Sequence, residues 1–384
     1  MPQARSSRYR ATPDTLCALL LGRIQAGIAR AAGASLKVLA ARLIRESLVA
    51  ALRQEGHEFT PERFFVWYAG LDTLSDRPQS TLRSPRALCQ TLLTELRHSP
   101  WVVLADTAET LEKAFLAPSD FNRGEDHEEA NLAVQDAREL LDSLGREDDA
   151  LPFGAIARLF AAAARSPRFA RRERDLTLLG GRAIEKQAAE NERWALDVLA
   201  GGYLVHHGLP VALPLPGLVT LPLAPIDYSD VEGAEEDAAI AALHETLWRI
   251  DQWLGEAERD CVAIAERLKD RRSSGRADGL ASLLAGFGPL RGTQIERMLG
   301  VSRPGVAVIV TALEQSGLTT SEASRNAARL HVYAPHQTAS SYDEEDVPDA
   351  LPSRTGPSSE ALAEYEAAMG AIDALLKRSS SDRN

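Results

Sequence analysis

The stretch Gly292–Thr311, GTQIERMLGVSRPGVAVIVT, decides how this 384-residue chain reads. Two helical segments, Thr293–Leu299 and Arg303–Ser316, flank Gly300-Val301-Ser302, where glycine supplies the positive φ that a tight turn between helices needs. Ile295, Leu299, Val301, Val306 and Ile309 place apolar side chains at the spacings by which two such helices bury their inner faces. Upstream, Gly279–Gly286 reads as a preceding helix. Downstream, Thr319-Thr320 and Leu330–Tyr333 read as short strands, with Glu322–Ala328 as the wing between them. Residues 276–335 therefore have the layout of a winged helix-turn-helix with a small β wing.

That layout lays the third helix in a DNA major groove while the wing and helix ends touch phosphates. The groups in position are Thr293 and Gln294 on the second helix, Ser302, Arg303 and Thr311 on the third, and Arg325 and Arg329 in the wing. The rest of the third helix's outer face, Pro304, Gly305, Ala307 and Val308, is poor in side chains that hydrogen-bond base edges. Glu296 also stands where the second helix of such a unit is usually small. Phosphate contact with double-stranded DNA, rather than base readout, is the expected source of affinity. Winged helices also dock proteins, so an interaction adaptor that binds no DNA is the alternative.

Working outward, residues 233–271 carry apolar or small residues at Ile240, Leu243, Leu247, Ile250, Leu254, Ala257, Cys261, Ile264 and Leu268, at alternating intervals of three and four. A seam of that kind cannot bury itself. Its partner is either a second copy, giving a homodimer through Leu243, Leu247, Ile250, Leu254, Ile264 and Leu268, or another helix of the same chain.

Residues 1–232 read as a helical domain, with helices at Pro13–Ala32, Ser35–Gln54, Pro61–Leu71, Ser84–Arg97, Thr107–Leu116, 128–144, 152–165 and 181–200. Arg165, Arg168, Arg171, Arg172 and Arg174 form a cluster that either faces solvent beside acids or attracts a phosphate. The stretch Val198–Ile226 is charge-free and long enough to span a bilayer, but Pro210, Pro214, Pro216, Pro222 and Pro225 break it, so no spanning helix is expected. Residues 336–384 form an acidic linker and a short amphipathic helix, 359–378.

Composition narrows the function classes. The net charge is −12, which argues against a generally basic nucleic-acid coat but not against one local surface. Residues 276–335 hold six arginines and four acids, whereas 336–384 hold four basic and ten acidic residues. Three widely spaced cysteines, Cys17, Cys89 and Cys261, make neither a disulfide framework nor a metal site, and fit a reducing cytoplasm. Arg5, Arg8 and Arg10 before Leu16–Leu21 do not make a secretory leader, because the apolar run is short and Thr12-Pro13-Asp14 reads as a helix start. Phosphate loops, dinucleotide loops, zinc-protease spacing and nucleophile elbows are absent from the sequence, so no enzyme, cofactor or metal is expected. His206-His207 are adjacent and diverge on regular structure, and the acidic run around His127 reads as a solvated face.

Three stretches, Arg249–Glu258 (RIDQWLGEAE), Arg271–Leu284 (RRSSGRADGLASLL) and Gly288–Leu318, resemble a family of uncharacterised bacterial proteins, many plasmid-borne. Its members join an all-helical domain of unknown function to a C-terminal helix-turn-helix domain. Leu39–Asp72 is faintly similar to the same family. The resemblance implies a DNA-binding, regulatory role and no established activity. The C-terminal unit also resembles those attached to Fic-type nucleotidyl-transfer proteins. Their His-Pro-Phe…Gly-Asn-Gly-Arg loop has no counterpart here beyond the fragment Asn122-Arg123-Gly124.

Overall fold

A computed structural model describes residues 12–76, 83–118, 125–145, 151–170, 175–179, 182–186, 192–219, 234–269, 274–323 and 328–335. Three of its helices begin where a hydroxyl residue precedes proline. Helix α1 (Pro13–Arg30), α3 (Pro61–Tyr68) and α4 (Pro85–Arg97) are capped by Thr12, Thr60 and Ser84, whose side-chain oxygens accept from the backbone of the first turn. Proline fits there because its missing N–H would be unpaired in any helix and its φ is already helical. Helix α2 (Gly33–Gln54) follows α1 directly, and α5 (Val102–Lys113), α6 (Asp126–Ser143) and α7 (Phe153–Arg165) complete the first group.

The protein is mainly helical, with little β structure. One departure from the sequence reading lies at 181–200, expected as one helix. Antiparallel strands β1 (Asp175–Leu179) and β2 (Arg182–Lys186) pair there, and α8 begins only at Trp194 and ends at Leu204. Glu192 just before it has φ 47°, a left-handed conformation for a residue that carries a Cβ. Residues 209–215 then run through the helical body outside helix or strand and end in a turn at 216–219, with Leu209, Leu213, Leu215, Leu218 and Val219 buried. The buried Asp197 carboxylate holds this run, accepting from the amides of Gly217 (2.9 Å) and Val219 (2.7 Å) and from Gln54 Nε2 (2.7 Å). Prolines 222 and 225 lie outside the described residues. Among the described residues no helix is long and apolar enough to cross a membrane.

Helix α9 (Ala234–Leu268) carries the heptad seam, and the seam faces inward. Leu243, Leu247, Ile250, Leu254, Ile264 and Leu268 are each at most 4% exposed. They are covered by α1, α2, α7 and the next helix of the same chain. Those six side chains therefore have an intramolecular partner.

The chain continues as α10 (Ser274–Gly286), β3 (Leu290–Arg291), α11 (Gly292–Leu299), α12 (Arg303–Gln315), β4 (Thr319–Ala323) and β5 (Arg329–Tyr333). The three strands form an antiparallel sheet in the order β3-β5-β4, with Leu290 opposite His331 and Ser321 opposite the same residue. One hydrophobic core runs from Cys17 to Leu318 without a break at residue 276. Helix α10 lies on α2 so closely that a Cβ at Gly286 would sit 2.3 Å from the Val38 carbonyl oxygen. The tail 336–384, including 359–378, lies outside the described residues.

Candidate nucleic-acid interface

The turn between α11 and α12 is built as its sequence requires. Gly300 ends α11 in the left-handed region (φ 58°), and Ser302, in extended conformation, starts α12 with Pro304 in its first turn. Val306, Val310 and Leu313 are buried under α12, while Ser302, Arg303, Pro304, Ala307, Val308 and Thr311 are exposed on its other side. Val308 is 69% exposed. Arg303, Arg297 on α11 and Arg329 at the start of β5 are exposed and have no ion pair among the described residues. Arg325 lies outside the described residues.

The other two predicted contacts differ from that surface set. Thr293 is half-buried, and its hydroxyl oxygen accepts from Arg291 Nε (3.3 Å) and Nη2 (3.1 Å). Gln294 is a correction. Its side chain is fully buried, its Nε2 donates to the carbonyls of Ala114 (2.8 Å) and Tyr68 (3.4 Å), and its Oε1 accepts from the Arg291 amide (2.9 Å). With every amide hydrogen and oxygen engaged indoors, Gln294 has nothing to offer a nucleic acid.

The same joint explains how the unit is held. Phe287 stacks in an aromatic cluster with Tyr68 at 4.7 Å between ring centres, and with Phe64 and Phe65 at 6.2 Å. Tyr68 in turn donates its hydroxyl to the Leu111 carbonyl at 2.7 Å. Arg267 at the end of α9 donates to the carbonyls of Ser316 (3.2 Å), Gly317 (3.1 Å) and Pro335 (2.8 Å), tying α9 to the turn after α12 and to the end of β5. On the hairpin side, Ser321 Oγ bridges Glu314 on α12 and His331 Nδ1 on β5. Burial lowers the His331 pKa, so near neutral pH the imidazole adds no positive charge to the hairpin.

The arginine cluster divides. Arg165 is exposed, and Arg171, Arg172 and Arg174 lie outside the described residues. Arg168 is committed to structure, pairing with Asp136 and Glu192. Sequence reading missed the network that it joins. Buried Arg83 lies between buried Glu55 (2.7 Å) and Glu192, and Trp194 Nε1 donates to Glu55 at 2.7 Å. His57 Nε2 donates to the Arg83 carbonyl at 3.0 Å, and burial pushes its pKa down to about 4. The acidic run at 125–129 is also not wholly a solvated face. Asp126 is buried and accepts from the Ser84 amide at 2.9 Å, and His127 Nδ1 meets Thr91 at 3.2 Å. Apolar spacing cannot signal buried pairs of this kind, since the partners are far apart in sequence.

No protein-family model matches the chain, and no curated protein matches it.

Proposed function

We propose that residues 276–335 form a winged helix-turn-helix, and that the chain is a cytoplasmic DNA-binding protein acting as a transcriptional regulator or as a plasmid- or chromosome-associated factor. The observation that carries this reading is the outer face of α12. Ser302, Arg303 and Thr311 are exposed there, and Arg297 on α11 and Arg329 on β5 are exposed cations with no ion pair among the described residues. The helix–strand–helix–helix–strand–strand order and the β3-β5-β4 sheet support the fold side of the reading. Affinity comes from release of counterions by these arginines, with Arg325 added. With one charged side chain at the start of α12 and few amides on its face, direct base readout is sparse. A homodimer would set two such units on one duplex, and membership of the bacterial family that Arg249–Leu318 resembles belongs to the same proposal. No enzymatic step, metal or cofactor is part of it.

A second reading, a protein adaptor using the same face, is favoured by one observation: Val308, an apolar side chain, is 69% exposed at the centre of α12. Capture of genomic DNA fragments by the intact protein at low salt separates the two. Retained fragments support DNA binding. No retention, together with a stoichiometric protein that co-purifies and is lost on Val308→Asp, supports the adaptor.

A further inference from the structure

The seam of α9 is covered inside the chain, which leaves the opposite side of that helix in view. Glu245, Trp248, Gln252, Gly255, Arg259 and Val262 follow one another at intervals of three and four along it. Trp248 is 51% and Val262 57% exposed, and Glu245, Gln252 and Arg259 are exposed as well. Glu245 and Arg259 make no ion pair among the described residues. An exposed tryptophan and valine on a stripe that also carries unpaired charges of opposite sign mark this face as more than a solvated one.

The order of these residues is self-complementary. Gln252 stands midway between Glu245 and Arg259, seven residues from each, or about 10 Å along the helix. A two-fold axis through Gln252 runs two copies of α9 antiparallel. It places Glu245 of each copy against Arg259 of the other, twice over. It also brings Trp248 of each copy opposite Glu256 of the other, one residue along from Gly255. A Cβ on Gly255 would meet no neighbour nearer than Arg259 Nη1 at 3.6 Å, and one on Gly22 of α1, across the same groove, would meet nothing within 4 Å. A shallow cleft between α1 and α9, of about 470 Å³, opens there beside Gly22 and Gly255. Bulge and hollow displaced along one axis, with charges of opposite sign at matching distances from its centre, are what an isologous contact requires.

We infer that a second copy of this chain docks on the outer face of α9, antiparallel about Gln252. This gives the pairing in the proposed function a definite surface, but it needs no DNA, and its failure would leave the reading of α12 untouched.

Sedimentation equilibrium of the full chain, with charge variants, tests it. The parent chain is expected to dimerise, and Glu245→Arg and Arg259→Glu are each expected to weaken the dimer by at least about tenfold, because each creates two like-charge contacts. The double variant is expected to recover to within about threefold of the parent. Gln252→Cys, which meets its own copy at the axis, is expected to give a disulfide-linked dimer on oxidation that the parent, with its own three cysteines, does not give. Circular dichroism checks that every variant is folded. A parent that stays monomeric at 100 μM overturns the inference. So does a dimer that neither charge variant weakens, or a Gln252→Cys variant that does not cross-link.

Discussion

The side-chain amide of Gln294 donates to the carbonyl of Ala114 at 2.8 Å, across 180 residues of sequence. That bond joins the second helix of the C-terminal unit to the end of α5, in a position where neither group reaches water. Gln294→Ala would strand the Ala114 carbonyl and the Arg291 amide. It should cost about 1–3 kcal/mol of stability, since buried polar groups left without partners forfeit their solvation. Urea denaturation measures this.

Gly286 and Gly279 lie on the same helix and should respond oppositely to alanine. A Cβ at Gly286 meets Val38 backbone oxygen at 2.3 Å and Ala41 Cβ at 2.8 Å, so α10 would have to move off α2. Gly286→Ala should destabilise by about 1–3 kcal/mol. At Gly279 nothing lies within 4 Å, and Gly279→Ala should stabilise by roughly 0.5–1 kcal/mol through helix propensity alone. Thermal melts of both variants check the pair.

Arg83 is 2% exposed and neutralises two buried carboxylates, Glu55 and Glu192. Arg83→Met should cost about 3–5 kcal/mol, because it takes the buried cation from Glu55 and leaves Glu192 with Arg168 in place of two arginines. Denaturant midpoints of parent and variant give the difference.

His57 makes stability depend on pH in a defined sense. Its pKa is held at about 4 against an ordinary 6.5, so the folded chain keeps it neutral while the unfolded chain protonates it first. The stabilisation is complete above pH 6.5 and is lost as pH falls from 6.5 toward 4, by up to about 3 kcal/mol. Asp197, pushed up to about 6 by burial, acts in the opposite direction, gaining stability as pH falls below 6 toward its ordinary 3.8. The readout is therefore the parent minus His57→Gln, whose difference should shrink across pH 6.5 to 4.

Much of the architecture was legible because it rests on local chemistry. Thr12-Pro13, Thr60-Pro61 and Ser84-Pro85 announce helix starts, and all three hydroxyls cap as expected. The start of α5 was misplaced by five residues, since Trp101 at its N-terminus makes no side-chain cap. The β1–β2 hairpin was missed although Gly180-Gly181 is a two-residue turn signal between alternating residues. The seam of α9 was visible as a seam, but not what covers it, because spacing says nothing of the partner. Gln294 failed as a surface residue for a similar reason. Its position on α11 is correct, and only the packing of α11 on α3 and α5 buries it.

The proposal of DNA binding is tested most directly by the salt dependence of affinity for a duplex, comparing the parent with Arg303→Ala/Arg325→Ala/Arg329→Ala by fluorescence anisotropy from 50 to 300 mM salt. The account predicts that the parent binds and weakens steeply with salt. It also predicts that the triple variant binds more weakly at every salt, with a log–log slope shallower by about 2–3, as removal of three phosphate contacts requires. A parent that does not bind duplex at 50 mM salt, or a triple variant with the parent's slope and affinity, would contradict it.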